Sequence, residues 1–279
     1  MPDWRPLIVR RKDGYPRIMG VINITPDSFF EDSRSNNISE TIKIAESMIQ
    51  NGADWLDVGG ESTRPGAEPV EEEEEISRVV PVIRELRRKF PRIGISVDTR
   101  RSEVAKLSLE VGADMINDIS ALSDENMINV IKQSDCYICL MHMKGLPENM
   151  QDNPQYDDVV AEVRSRLNEK VSLLIREGID RERIIVDPGI GFGKTLEHNL
   201  LLLKSGREII PMRNVKLMWG VSRKSMFSEL LGRIETRDRL AGTLGIAAMT
   251  KSKAVDIIRV HDVAEHADLF RAMSALEDF

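Results

Sequence analysis

Short apolar runs alternate with longer amphipathic stretches along the whole chain. Strands are predicted over residues 17–23, 54–58, 94–98, 115–118, 137–142, 184–187, 215–220 and 256–260. Between them the apolar positions recur at helical spacing, which predicts helices over 39–51, 72–90, 102–111, 156–177, 196–209 and 237–252. Asn51-Gly52, Val111-Gly112 and Glu177-Gly178 carry stop signals, since glycine readily takes the left-handed position that ends a helix. Eight strand–helix units in 279 residues predict an α/β fold, a TIM (β/α)8 barrel, where a doubly wound sheet usually has about five or six strands. No linker rich in Pro, Gly or Ser interrupts the pattern, so residues 1–279 are expected to form one domain.

In such a barrel the chemistry gathers at the C-terminal ends of the strands. Those ends read, in order, Asn23, Asp57, Asp98, Asn117 with Asp118, His142, Asp187, the run Ser222-Arg223-Lys224-Ser225, and Arg259 with His261. All are polar or charged. Taken singly, Asp57, Asp118 and His142 read as scaffold groups that hold loops or cap helices. Taken together, the set implies a shared polar ligand. Asp98, Asn117 and Asp187 suit a flat heterocycle bearing N–H donors, because a carboxylate can accept two parallel N–H bonds. Lys224 would donate to a carbonyl or ring nitrogen. Arg259 and His261, two apart on an extended segment, would point the same way and form an anion site.

Composition narrows the class. The chain is 41% hydrophobic and 30% charged, and no apolar run approaches the roughly 20 residues of a membrane span. The opening MPDWRPLIVRRKDG lacks the apolar core of a signal peptide, so a cytoplasmic protein without a membrane partner is expected. A net charge of −7 speaks against nonspecific nucleic-acid binding, so an anionic ligand must be met by local cations or a metal. Cys136 and Cys139 fall on opposite faces of an extended segment and read as buried apolar residues. The run Glu71 to Glu75 opens a helix, where the dipole favours carboxylates, and reads as a solvated first turn. "VDPGIGFGKT" (186–195) imitates a Walker A loop, but the glycine required five residues before Gly193-Lys194-Thr195 is Pro188, which has no N–H to offer a phosphate.

Eight stretches carry a resemblance. They are "MGVINITPDSF" (19–29), "DVGGESTRPGA" (57–67), "ISVDT" (95–99), "INDIS" (116–120), "LMHMKG" (140–145), "DPGIGFGK" (187–194), "SRKS" (222–225) and "IIRVHDV" (257–263). By these the chain resembles, from end to end, the dihydropteroate synthases of the monofunctional bacterial form. The resemblance implies a barrel that condenses 6-hydroxymethyl-7,8-dihydropterin diphosphate with p-aminobenzoate, giving 7,8-dihydropteroate and pyrophosphate.

Carried over by position, the resemblance implies a pterin pocket of Asp98, Asn117, Asp187 and Lys224, with Arg259 also against the pterin face. Arg259 and His261 would bind the diphosphate, Asn23 would ligate Mg²⁺ beside it, and Thr63 and Arg64 would sit on a closing loop. Phe29, Thr63, Pro65, Lys224 and Ser225 would surround p-aminobenzoate. Bacterial relatives commonly read Ser-Asp-Gly-Gly after the equivalent of Phe29. Here the chain reads Phe30-Glu31-Asp32-Ser33, which moves the loop carboxylate to Glu31 with Asp32 beside it. The segments 24–37 and 60–70 exceed the roughly 2 to 6 residues usual for such connections and are expected to act as lids. Lys194 reads as an incidental surface charge.

No nucleophile–base pair is evident, and an SN1-like loss of pyrophosphate needs none: Arg259, His261 and Mg²⁺ would hold the leaving anion, with Lys224 and Glu31 also near the reacting atoms. The family further implies a homodimer built through helices late in the barrel. Two rival readings are a pterin-binding methyltransferase, which would not need STRPG, SRKS and RVHD together, and a noncatalytic pterin-binding paralogue, against which the intact leaving-group residues argue.

Overall fold

The computed structural model describes residues 4–24, 34–61, 70–145 and 150–277. Its eight strands are all parallel and close in chain order, with β8 returning to β1. They are β1 (Arg17–Asn23), β2 (Trp55–Gly59), β3 (Gly94–Asp98), β4 (Met115–Asp118), β5 (Tyr137–Met141), β6 (Ile184–Asp187), β7 (Lys216–Gly220) and β8 (Ile257–Val260). The helices in the connections are α1 (Arg34–Gln50), α2 (Glu72–Lys89), α3 (Ser102–Glu110), α4 (Met127–Lys132), α5 (Val159–Arg176), α6 (Leu196–Ser205), α7 (Met226–Leu231), α8 (Leu240–Ala247) and α9 (Val263–Glu277). This is the TIM barrel that the periodicity predicts.

The period of two along each strand divides the core. Outward residues such as Ile18, Leu56, Ile95, Ile138, Leu217 and Ile258 are buried against the helices. Inward residues Met19, Trp55, Met115, Tyr137, Cys139, Ile185, Met218 and Ile257 pack into a separate cluster inside the barrel. The same inward register, two to four residues further along each strand, reaches Asn23, Asp57, Asp98, Asn117, Asp187 and Arg259. Polarity therefore begins where the packed interior ends. The cysteines divide as expected, Cys136 to the outer cluster and Cys139 to the inner one, both free and buried.

The N-terminal end of the barrel is plugged by the chain's own start. Ile8 joins the inner cluster, Trp55 Nε1 donates to Leu7 O at 2.9 Å, and Tyr137 Oη donates to Pro6 O at 3.0 Å. The Trp55 indole fits only because its neighbour is Gly94, where a Cβ would stand 2.3 Å from the ring.

Some boundaries differ from the sequence expectation, for identifiable reasons. Asp54 and Asp256 precede their strands, because each carboxylate accepts the N–H of a neighbouring strand, Ile18 N and Leu217 N, both at 2.9 Å. Helix α5 starts at Val159, not 156, because Asp158 caps it by accepting Ala161 N at 3.0 Å. The predicted helix 237–252 resolves into a 3-10 turn, Thr236–Arg239, followed by the shorter α8. Helix 196–209 likewise ends at Ser205, and a 3-10 turn, Gly206–Ile209, completes it. In the acidic run Glu71 to Glu74 are exposed, but Glu75 is 1% exposed and pairs with Arg101. Only the first four of those carboxylates are solvated.

Candidate functional site

At the C-terminal mouth of the barrel the strand ends converge on a pocket of about 330 Å³, part of it open to solvent. Asp98, Asn117, Asp187, Lys224 and Arg259 supply its polar lining, and Ile119, Met141, Ile190 and Phe192 its apolar walls. Five of the sequence-selected residues therefore share one cavity. The walls were not foreseen: Ile119, Met141 and Phe192 form a small apolar cluster with Met150, set apart from the main core.

The polar groups are oriented by one another. Arg259 Nε donates to Asp57 Oδ2 at 2.5 Å, and Arg259 Nη2 to Asp98 Oδ2 at 2.6 Å. Asn117 Nδ2 donates to the same Asp57 oxygen at 3.2 Å, and Asn117 Oδ1 is buried without a hydrogen-bond partner among the described residues. With its amide nitrogen committed to Asp57, Asn117 has its oxygen left as an unspent acceptor at the pocket wall. Asp57 is fully buried and is a scaffold group, as its isolated position suggested, but what it holds is the pocket itself. Asp118 holds the turn after β4, accepting Ser120 N at 2.8 Å and Leu122 N at 2.7 Å.

Burial sets the charge states. It pushes the Asp98 carboxyl up from the ordinary carboxylate range, while the adjacent Arg259 guanidinium pulls it back. For Arg259 burial disfavours the charge, yet Asp57 and Asp98 together outweigh it, so the guanidinium stays protonated. Burial also raises Asp187, opposed by the Gly189 N–H, which donates to Oδ1 at 2.7 Å, and by Lys224. Lys224 is lowered to about 8 by burial against the pull of Asp187, and its Nζ lies 3.9 Å from the Phe192 ring centroid.

Arg259, expected from the spacing to form an anion site with His261, is not an isolated cation: two of its three nitrogens are already ion-paired. A guanidinium at this depth needs carboxylate partners, and Asp57 and Asp98 take two of its nitrogens. His261 lies beyond the end of β8 at the rim, its Nδ1 2.9 Å from Ser222 Oγ, and its backbone N–H donates to the same oxygen at 3.1 Å. Ser225 is exposed at the start of α7.

The reading of Lys194 as a surface charge is wrong. Its side chain runs inward behind the pocket, 3% exposed, and Nζ donates to Phe192 O at 2.8 Å and to His142 O at 3.3 Å. Burial lowers it to about 7, with Asp187 pulling upward. His142 is pushed down to about 3 by burial and by Lys194, so its ring is neutral, and Nδ1 lies 3.2 Å from the amine. The imitation of a phosphate loop hid this: the lysine after the glycines faces protein carbonyls.

Asn23 closes β1, with its side chain exposed. A Cβ built on Gly59 would lie 3.9 Å from Asn23 Oδ1 and 3.8 Å from Asp98 Oδ2, so the two oxygens flank one point at the mouth. No group of three His, Cys, Asp or Glu able to hold a metal occurs among the described residues. Asn23 Oδ1 is a hard oxygen donor at that point, of the kind that suits an ion held mainly by water and substrate oxygens, the usual habit of Mg²⁺. Phe29, Glu31, Asp32, Thr63, Arg64 and Pro65, and with them most of both expected lids, lie outside the described residues. Glu61 and Val70, on either side of the second gap, are tied together by Val70 N donating to Glu61 Oε1 at 3.2 Å.

Residues 19–261 match the family model described as pterin binding enzyme. The chain is 43% identical over 261 residues to the dihydropteroate synthase of Escherichia coli strain K12, covering 94% of this chain and 92% of that one. Among solved structures it superposes on the Yersinia pestis dihydropteroate synthase in complex with a sulfonamide drug, with a TM-score of 0.88, 37% identity, and 96% and 97% of the two chains covered. The Burkholderia cenocepacia dihydropteroate synthase complexed with 7,8-dihydropteroate gives a TM-score of 0.85 at 37% identity, covering 94% and 92%.

Proposed function

The chain belongs to the dihydropteroate synthase family of pterin-binding enzymes, and from that premise we propose which of its side chains carry the reaction. It condenses 6-hydroxymethyl-7,8-dihydropterin diphosphate with p-aminobenzoate to give 7,8-dihydropteroate and pyrophosphate. One observation carries the assignment: three acceptor side chains, Asp98, Asn117 and Asp187, line the same narrow cavity as the donors Lys224 and Arg259, between apolar walls.

A dihydropterin has a matching outline. Its amino-pyrimidinone edge is rich in N–H groups, and its carbonyl and second ring accept. Asp187 has Oδ2 free to take an N–H of that edge, since Oδ1 already accepts Gly189 N. Asn117 Oδ1 takes another N–H, and Lys224 Nζ donates to the carbonyl or a ring nitrogen. Ile119, Met141 and Phe192 flank the flat ring, and the Arg259 guanidinium, fixed by Asp57 and Asp98, lies against it.

Bond breaking leaves positive charge on the pterin methylene and ring as pyrophosphate departs. Asp98 and Asp187, fixed before substrate arrives, favour the electron-poor ring. His261 at the rim meets the departing diphosphate, with the remaining guanidinium nitrogen of Arg259. Mg²⁺, when bound, would neutralise diphosphate oxygens, and Asn23 Oδ1 is the side chain here that would hold it. Ser225 and Lys224 border the place left for p-aminobenzoate, whose amine then attacks within an oriented site.

The enzyme is placed in the cytoplasm by this reading, which suits two free cysteines, and none of the described helices is long and apolar enough to cross a membrane. A homodimer is proposed through the late helices, where Leu230, Leu231, Ile234 and Met249 are exposed on and beside α7 and α8. Sedimentation velocity tests it, a monomer being the contrary result. The activity is tested by following pyrophosphate from purified protein with the dihydropterin diphosphate, with and without p-aminobenzoate. Release matched by 7,8-dihydropteroate formation is expected; release without condensation would contradict the function.

A further inference from the structure

The loop 187–194 lies directly on the chain that follows β5. Gly189, at φ +69, leaves no room for a side chain: a Cβ there would come 1.8 Å from His142 O. The flanks of the loop are tied by Tyr156 Oη donating to Gly193 O at 3.0 Å and by Gln151 Nε2 donating to Gly191 O at 2.6 Å. Its centre is tied by Lys194, whose Nζ donates to Phe192 O and His142 O and lies 3.2 Å from His142 Nδ1. A buried amine that donates to carbonyls of two different segments is a fastener. One of those acceptors belongs to a residue that lines the pocket, Phe192, and the Phe192 ring carries Lys224 Nζ on its face.

We propose that Lys194 is a positioning residue of the enzyme: through Phe192 O it holds the Phe192 ring against Lys224 and so fixes the donor end of the pterin pocket. The inference rests on the pterin reading of that pocket and extends it to a residue that does not line it. Lys194 does not touch the substrate. Its loss would leave Phe192 O without its buried donor, free the ring to turn, and release Lys224 from its seat.

The test is a double-mutant cycle of Lys194→Met and Phe192→Leu, read as the dissociation constant of a pterin analogue by calorimetry, with kcat and KM measured beside it. If Lys194 acts through Phe192, the two losses are not additive. Lys194→Met alone is expected to weaken the analogue at least about fivefold and to raise KM more than it lowers kcat. In the Phe192→Leu background the same change is expected to cost less than about twofold. Lys194→Gln, which keeps an amide donor, is expected to lose less than Lys194→Met and carries the same cycle should the methionine variant not fold. An undiminished loss in the Phe192→Leu background, or unchanged affinity in Lys194→Met, would overturn the proposal while the wild-type titration still supported the pocket. Absence of analogue binding by the wild-type protein would overturn both.

Discussion

Lys224 shows what a functional residue costs the fold. Burial lowers it to about 8 from its ordinary 10.5, with Asp187 pulling in the other direction. Between those values the unfolded chain binds a proton that the folded chain does not, so this residue's contribution to stability improves as pH rises through that window, and the full penalty stands below about 8. Lys224→Met removes the penalty. The variant should be more stable than the wild type at pH 7 by on the order of 1 kcal/mol, with the advantage shrinking as pH approaches 10, while its affinity for a pterin falls. Thermal melts across that range check it, and a variant less stable at pH 7 contradicts it. At this scale the sequence was legible unevenly. Asp98, Asn117 and Asp187 could be found because polar residues ending apolar strands stand out. Lys194 could not: its burial depends on the loop folding back over His142, and no local pattern of residues encodes that contact.

At the scale of elements, the turn after β7 presents Lys224 and Ser225 through a strained residue. Arg223 has φ +54, a left-handed conformation that costs a residue with a side chain roughly 1–2 kcal/mol. Three contacts impose it: Arg223 N donates to Thr243 Oγ1 at 3.0 Å, Arg223 O accepts Arg239 Nη1 at 3.1 Å, and the guanidinium grips Asp262 with two nitrogens, Nε at 2.8 Å. The pair joins the turn after β7 to Asp262, the residue following His261. Arg223→Ala keeps the strain and loses the ion pair, whereas Arg223→Gly loses both. The glycine variant should therefore be the more stable of the two by about 1 kcal/mol, with pterin turnover reduced in both. Urea melts of the pair check this; a glycine variant no more stable than the alanine variant would mean the backbone there is not strained. Strands such as 17–23, 94–98, 115–118 and 184–187 were legible to the residue because in each an apolar run gives way to a polar end, Asn23, Asp98, Asp118 or Asp187. Helix limits were less so: that of α5 is set by a cap, and α7 ends where Gly232 takes the left-handed conformation.

For the whole molecule, the closed barrel turns eight separate strand ends into one site. Asp98 and Asp187 are far apart in the sequence yet line one cavity with Arg259, because the register that packs Trp55, Met115 and Ile257 inside continues upward into polar residues. The barrel could be read from strand count and spacing, since each strand is a local signal. The ion-paired state of Arg259 could not, because Asp57 and Asp98 reach it only on closure. The central claim is that this mouth grips a pterin through acceptors fixed in advance, Asp187 among them. Asp187→Asn tests it most directly, since the amide retains size and its Gly189 contact while placing N–H groups where an acceptor is required. Calorimetric titration of a pterin analogue into wild type and variant should show a loss of about 10 to 150-fold, the worth of roughly 1.5 to 3 kcal/mol for a charged hydrogen bond. Equal affinity in the two proteins would contradict the account.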